Sequence, residues 1–198
     1  MRNFYQGQLY VPTDAGEVLR KLEENSSTEV ISKGYGVYEV VLPVKYKVQV
    51  LAENGLLLGL SSEIDQHVMV KVIINNILAS FAENIAFARE IEKYVEGLSK
   101  KRLKIKPNQV VKILENDKVV MFYGITNEIG SLLTNRSKAI EILKKKKKWK
   151  GWLGIGLYIR DNKYVEIDLY SDGRMSIPRD DEVARSITSW LSKVLQEG

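Results

Sequence analysis

From Glu63 to Glu96 the chain runs for 34 residues without a Gly or a Pro, and no other stretch limits the fold as much. Ser61-Ser62-Glu63-Ile64-Asp65 ahead of it carries a helix-capping signal, and the next breaker is Gly97, so the pattern predicts one helix over residues 63–96. At about 1.5 Å per residue such a helix spans roughly 50 Å. Val68, Met69, Val70, Val72, Ile73, Ile74, Ile77, Leu78, Phe81, Ile85 and Phe87 then lie nearly all round it. A helix of that kind is covered on more than one side. Either both halves of the chain embrace it, or one face packs on a sheet and the other meets a second copy. A homodimer is the expectation. Asn75, Asn76, Glu83 and Asn84, set among the apolar residues, then need hydrogen-bond partners.

The remaining pattern is mixed. A helix is predicted over Asp14–Glu24, where Thr13 to Glu17 supplies the cap, and strands over Thr28–Ser32, Gly36–Leu42, Lys45–Ala52 and Leu56–Leu60, with a tight turn at Glu53-Asn54-Gly55. Past a basic connector, strands are expected at Val110–Leu114 and Lys118–Tyr123 and a helix at Arg136–Lys147. Three strands follow at Leu153–Arg160, Lys163–Tyr170 and Arg174–Ile177, turning at Asp161-Asn162 and Ser171-Asp172-Gly173, and a last helix begins after Pro178. The fold class is α+β: one compact domain over residues 1–198, mainly antiparallel sheet packed on helices at one face, with one long central helix. Gly36-Val37-Tyr38 and Gly156-Leu157-Tyr158 open similar successions, 19 residues from Gly36 to Gly55 and 17 from Gly156 to Gly173. They suggest a duplicated unit of helix, three strands and helix.

Composition removes whole classes of chemistry. With no Cys, thiol nucleophiles, thiolate metal sites and disulfides drop out, and a single His, His67, leaves no multi-histidine metal centre. The opening residues lack the apolar core of a secretion signal, and no apolar run reaches the roughly 18 residues of a membrane span, so a soluble cytoplasmic protein with no membrane contact is expected. Charge is uneven. Residues 1–99 carry nine Lys and Arg against 13 Asp and Glu, a balance of −4, and residues 100–198 carry 21 against 12, a balance of +9. The acidic and basic halves can pair between subunits, or the basic half can face an anionic polymer.

No catalytic motif stands out. Gly151-Trp152-Leu153-Gly154-Ile155-Gly156 lacks the dinucleotide fingerprint order and precedes a strand; no phosphate-binding P-loop sequence exists, and no serine elbow accompanies His67. Neither cofactor nor metal is expected. Asp180, Asp181 and Glu182 sit in a first helical turn, where the macrodipole already favours them. The strongest local feature is Lys144-Lys145-Lys146-Lys147-Lys148-Trp149-Lys150 with Trp152 just beyond: phosphate contacts beside flat rings, suited to single-stranded RNA or DNA. Arg136 and Lys138 precede it on the same helix, and Lys101, Arg102 and Lys104 in the connector form a second basic group.

In length, richness in Lys and Ile, absence of Cys and lack of a catalytic motif, the chain resembles, across all 198 residues, the small dimeric accessory (seventh) subunit of crenarchaeal Cmr effectors, the type III-B CRISPR complexes. The resemblance implies a thermophilic archaeal source and a non-catalytic homodimer in antiviral defence. Its partners would be the other subunits of a guide-RNA ribonucleoprotein that cuts target RNA, the cutting being done elsewhere. The apolar stretch Glu63–Glu96 would supply the dimer contact, and the basic half would meet acidic subunits or RNA. Two other readings stay open: a small metal-dependent hydrolase or nuclease using Asp180 and Asp181, and a stand-alone nucleic-acid-binding protein. The apparent repeat also admits a TATA-binding-protein-like saddle, which needs aromatic wedges on an open sheet.

Overall fold

A computed structural model describes residues 3–11, 14–51, 57–74 and 76–196. In it the stretch from Glu63 is not a helix. It forms the end of a strand, a second short strand and a few helical turns, and with that the expected central helix is overturned. The order is β1 (Phe4–Tyr10), α1 (Ala15–Glu24), β2 (Glu29–Gly34), β3 (Val37–Leu51), β4 (Leu57–Ile74), β5 (Leu78–Ala82), α2 (Ile85–Ala88) and short turns at Arg89–Lys93 and Leu98–Lys101. There follow α3 (Pro107–Glu115), β6 (Val119–Thr126), β7 (Leu132–Leu133), α4 (Arg136–Lys144), β8 (Trp152–Tyr158), β9 (Tyr164–Tyr170), β10 (Arg174–Pro178) and α5 (Asp181–Gln196). No helix among the described residues is long and apolar enough to cross a membrane.

The physical reason for the correction is visible in β4. Val68, Val70 and Val72 share the back-face core, whereas His67 and Met69 are exposed and Ile73 belongs to the opposite, front core, a period of two that a helix cannot give. β-Branched residues at that density also lose rotamer freedom in a helix and pack well on a pleated surface. Pro43 does not break the preceding strand. It pairs with His67 beyond Val41, the last residue of β3 to pair with β2, where β3 has a neighbour on one side only and a missing N–H is tolerated. The predicted turn at Glu53-Asn54-Gly55 lies outside the described residues. At Val110–Leu114 the expected strand is helix α3: Pro107 takes its first turn, and the Gln109 side chain accepts from the Lys106 N–H at 2.8 Å.

The described strands form one antiparallel sheet of ten, in the order β2-β3-β4-β5-β1-β10-β9-β8-β6-β7. The fold class is therefore α+β, but the helices do not share one face. On the front face α3, α4 and α5 cover the C-terminal strands around Leu153, Ile155, Ile167, Leu169 and Ile177, a core that reaches Leu9 and Phe81 at the centre of the sheet. On the back face α1 and residues 85–98 cover the N-terminal strands around Tyr10, Val40, Val70, Val72 and Leu78. The register keeps these sets apart, Leu9 pairing with Ala79 on one side and Tyr10 with Leu78 on the other. The back face of the C-terminal strands is thus left bare, whereas on the front face of the N-terminal strands α5 reaches β4 and Val37, Ile73, Ala79 and Phe81 are buried while Met69 stays exposed. The duplicated unit is not confirmed, because the helix that would close its first copy is strand.

The three C-terminal strands and their turns follow the sequence reading. Asp161 and Asn162, with φ of 58° and 55°, make the two-residue β8–β9 turn, which demands positive φ at both central positions. Asp180 caps α5, its Oδ1 accepting from the Glu182 and Val183 N–H groups at 2.9 and 3.0 Å.

Two polar ties join the layers. Lys71, almost fully buried, bonds Glu39 and lies 3.0 Å from Asp181, which also accepts from the Tyr5 hydroxyl at 2.8 Å. Glu92 accepts a fork from Arg102, both bonds 2.7 Å, and a third bond from Tyr10 at 2.8 Å. The hydrogen bond from Lys71 holds the Glu39 carboxyl below its usual range. Burial pushes Glu92 upward, but Arg102 and Tyr10 outweigh it and its pKa falls. The Val183 amide, with Lys163, lowers Asp180. A carboxyl whose pKa is lower folded than unfolded stabilises the protein fully above its unfolded value and loses that contribution as pH falls through the folded one. The urea midpoint is therefore expected to hold near neutrality and to drop progressively below about pH 5, and Glu92→Gln to flatten that drop. An acid branch in which Glu92→Gln and wild type fall alike would contradict this.

Candidate nucleic-acid interface

Strict alternation over Tyr164-Val165-Glu166-Ile167-Asp168-Leu169-Tyr170 sends Val165, Ile167 and Leu169 into the front core and leaves Tyr164, Glu166, Asp168 and Tyr170 on the bare back face. In β8 the partners of these four residues, in register, are Tyr158, Gly156, Gly154 and Trp152. The two glycines are spatial requirements. A Cβ on Gly154 would lie 2.4 Å from the Trp152 ring, and one on Gly156 would lie 2.1 Å from the Tyr164 hydroxyl. Their missing side chains let both aromatic groups lie down over the sheet. The segment that failed as a dinucleotide fingerprint is the seat of an aromatic surface.

Hydrogen bonds fix the rings. Trp152 Nε1 donates to Asp168 Oδ1 at 2.7 Å, Tyr123 donates to Glu166 at 2.6 Å, and the Tyr123 and Tyr164 hydroxyls bond each other. Glu166 and Tyr164 together hold the Tyr123 hydroxyl well above its ordinary pKa, so it remains a donor. Tyr158 and Tyr164 meet edge to face with centroids 5.9 Å apart, and the Arg174 guanidinium lies 4.7 Å over the Tyr170 ring. Tyr123, Tyr158, Tyr164 and Met121 are each about two-fifths to one-half exposed, which leaves π-faces and a thioether open to a ligand.

The basic segments meet at one end of this face. Ile105 N–H donates to Ser171 O at 2.9 Å, and Ser171 N–H to Gly151 O at 3.0 Å, so the segments that carry Lys104 and Lys150 are both tied to the β9–β10 turn at Ser171. Lys146, Lys147, Lys148 and Lys150 are exposed, as are Lys101 and Lys104. Others have partners: Lys144 with Glu115 at 3.0 Å, Lys145 with Glu141 at 3.2 Å, and Arg102 in its fork on Glu92. Trp149 belongs to the front core. It is buried, and its Nε1 donates to Thr126 O at 3.0 Å, so its ring has no free face to stack on. Arg136 is likewise spent on the Leu114 and Val119 carbonyls. The predicted lysine helix ends at Lys144, so the rest of the run is loop.

Sequence reasoning missed Tyr123, Tyr158, Tyr164 and Tyr170. The signal was present as the 164–170 alternation, once the intervening aliphatics are assigned to one covered face. The acidic alternative divides: Asp180 caps α5 while Asp181 holds Tyr5 and Lys71, and among the described residues no three potential ligands gather for a metal. His67 is exposed on β4. Searches against family models, curated proteins and solved structures find no match to this chain.

Proposed function

We propose that this chain is a non-catalytic module that binds single-stranded RNA, bases on the bare back face of β6, β8, β9 and β10 and phosphates on the basic end. One observation carries the reading: an exposed aromatic face seated on glycines, at whose end two basic segments converge. Glu166 and Asp168 fit it, because a carboxylate repels phosphate but accepts from base amino and imino groups. The strand's backbone therefore keeps to the rim. Such a module suits an RNA-guided effector in the cytoplasm, as the whole-chain resemblance implies. Its homodimer would need a contact other than the Glu63–Glu96 helix, which does not exist.

Titration of a short single-stranded RNA over a range of salt concentrations tests this. The logarithm of affinity should fall linearly with that of salt, by about 0.7 per phosphate neutralised, and changing Lys146, Lys147, Lys148 and Lys150 to Gln should flatten the slope. Binding that is absent at low salt, or indifferent to salt, ends the proposal. Copurification at moderate salt tests the assembly: recovery with guide RNA and effector subunits is expected, recovery alone counts against it.

A further inference from the structure

On the covered side of the sheet, α5 runs past the start of β6 and the β8–β9 turn, and the gap between them is a cleft of about 430 Å3, within the range that holds a small ligand. Lys118, Arg160, Arg185 and Lys193 line it from three separate elements, against one carboxylate, Asp117. None of the four cations is in an ion pair among the described residues, although Lys144, Lys145 and Lys163 elsewhere each have one. Arg185 instead lies 5.2 Å over the Tyr35 ring. Like charges brought to one cleft repel, and an anion relieves the repulsion. Between them the wall carries an apolar strip of Ile159, Trp190 and Val194, all buried, beside Ser186 and Ser189, the indole fixed by its 3.2 Å bond to Asn116 Oδ1.

We infer that this cleft binds a nucleoside phosphate, the base or sugar against Ile159, Trp190 and Val194 and the phosphates among Arg160, Lys118 and Lys193. It is separate from the aromatic face and does not depend on the RNA reading. A phosphate-rich tail alone would not use the apolar wall, nor an uncharged nucleoside the cations.

Calorimetric titration of the whole chain with ADP, adenosine and inorganic phosphate tests it, using R160A/K193A, both positions being exposed, and Y158A/Y164A from the other face. Saturable ADP binding is expected, tighter than either fragment, weakened about tenfold or more in R160A/K193A and unchanged in Y158A/Y164A. The inference is overturned if ADP does not saturate, if R160A/K193A binds it as wild type does, if inorganic phosphate binds as tightly, or if Y158A/Y164A abolishes the binding. That last result would put ADP on the RNA face, whereas loss of RNA binding alone leaves this site standing.

Discussion

Replacing Tyr158 and Tyr164 together by Ala is expected to weaken single-stranded RNA binding about 30-fold or more while leaving the fold intact. Stacking of one base on one aromatic ring is worth about 1–3 kcal/mol, and about 2 kcal/mol corresponds to that factor. The two rings touch edge to face, so their losses will not simply add. Both side chains stand on the bare face, outside either core, and surface substitutions of this kind usually shift stability by about 0.5 kcal/mol or less. Tyr164→Phe is the sharper control: it keeps the ring and loses only the hydroxyl facing Tyr123 and Glu166. Fluorescence anisotropy and a thermal melt on the same samples separate binding from folding. Unchanged affinity in the double variant would remove the back face from the account.

Trp149→Ala will instead act on stability. The ring is buried in the front core beside the end of α4, and its N–H satisfies the Thr126 carbonyl, so truncation leaves both a cavity and an unpaired acceptor. Large aromatic truncations of this type cost about 3–5 kcal/mol. For a chain of this size that lowers Tm by roughly 6–20 °C, read by calorimetry or circular dichroism. A variant that melts like wild type but binds RNA weakly would return Trp149 to the role its lysine neighbours suggested.

How far the sequence could be read depended on which signals are local. The turns at Asp161-Asn162 and Gly173, the start of the last helix after Pro178 and the three final strands were legible because each is set by a few adjacent residues with restricted φ or a directed side chain, although Asp180 proves to be the cap of α5 and not a residue of its first turn. The stretch after Glu63 was not, since absence of Gly and Pro permits a helix without favouring one. What decided it was Val68, Val70 and Val72 packing together on the back face of the sheet, a property of the neighbouring β3 and β5 as much as of β4. Of the candidate interface, the lysines were found by composition alone. The tyrosines were hidden because alternation shows two faces without saying which one the helices will cover. Nothing within Arg102 or Trp149 announces that Glu92 and Thr126 occupy them.

The place of β1 has a kinetic consequence. The first of the described strands occupies the middle of the sheet, bonded to β5 on one edge and to β10 on the other, where Phe4 meets Pro178 and Gln8 meets Arg174. Its second edge must wait for β10, and pairings so distant in sequence close slowly. The β9–β10 hairpin therefore fuses two meanders into a single cooperative unit, and until it arrives the nascent sheet carries an open seam beside β1.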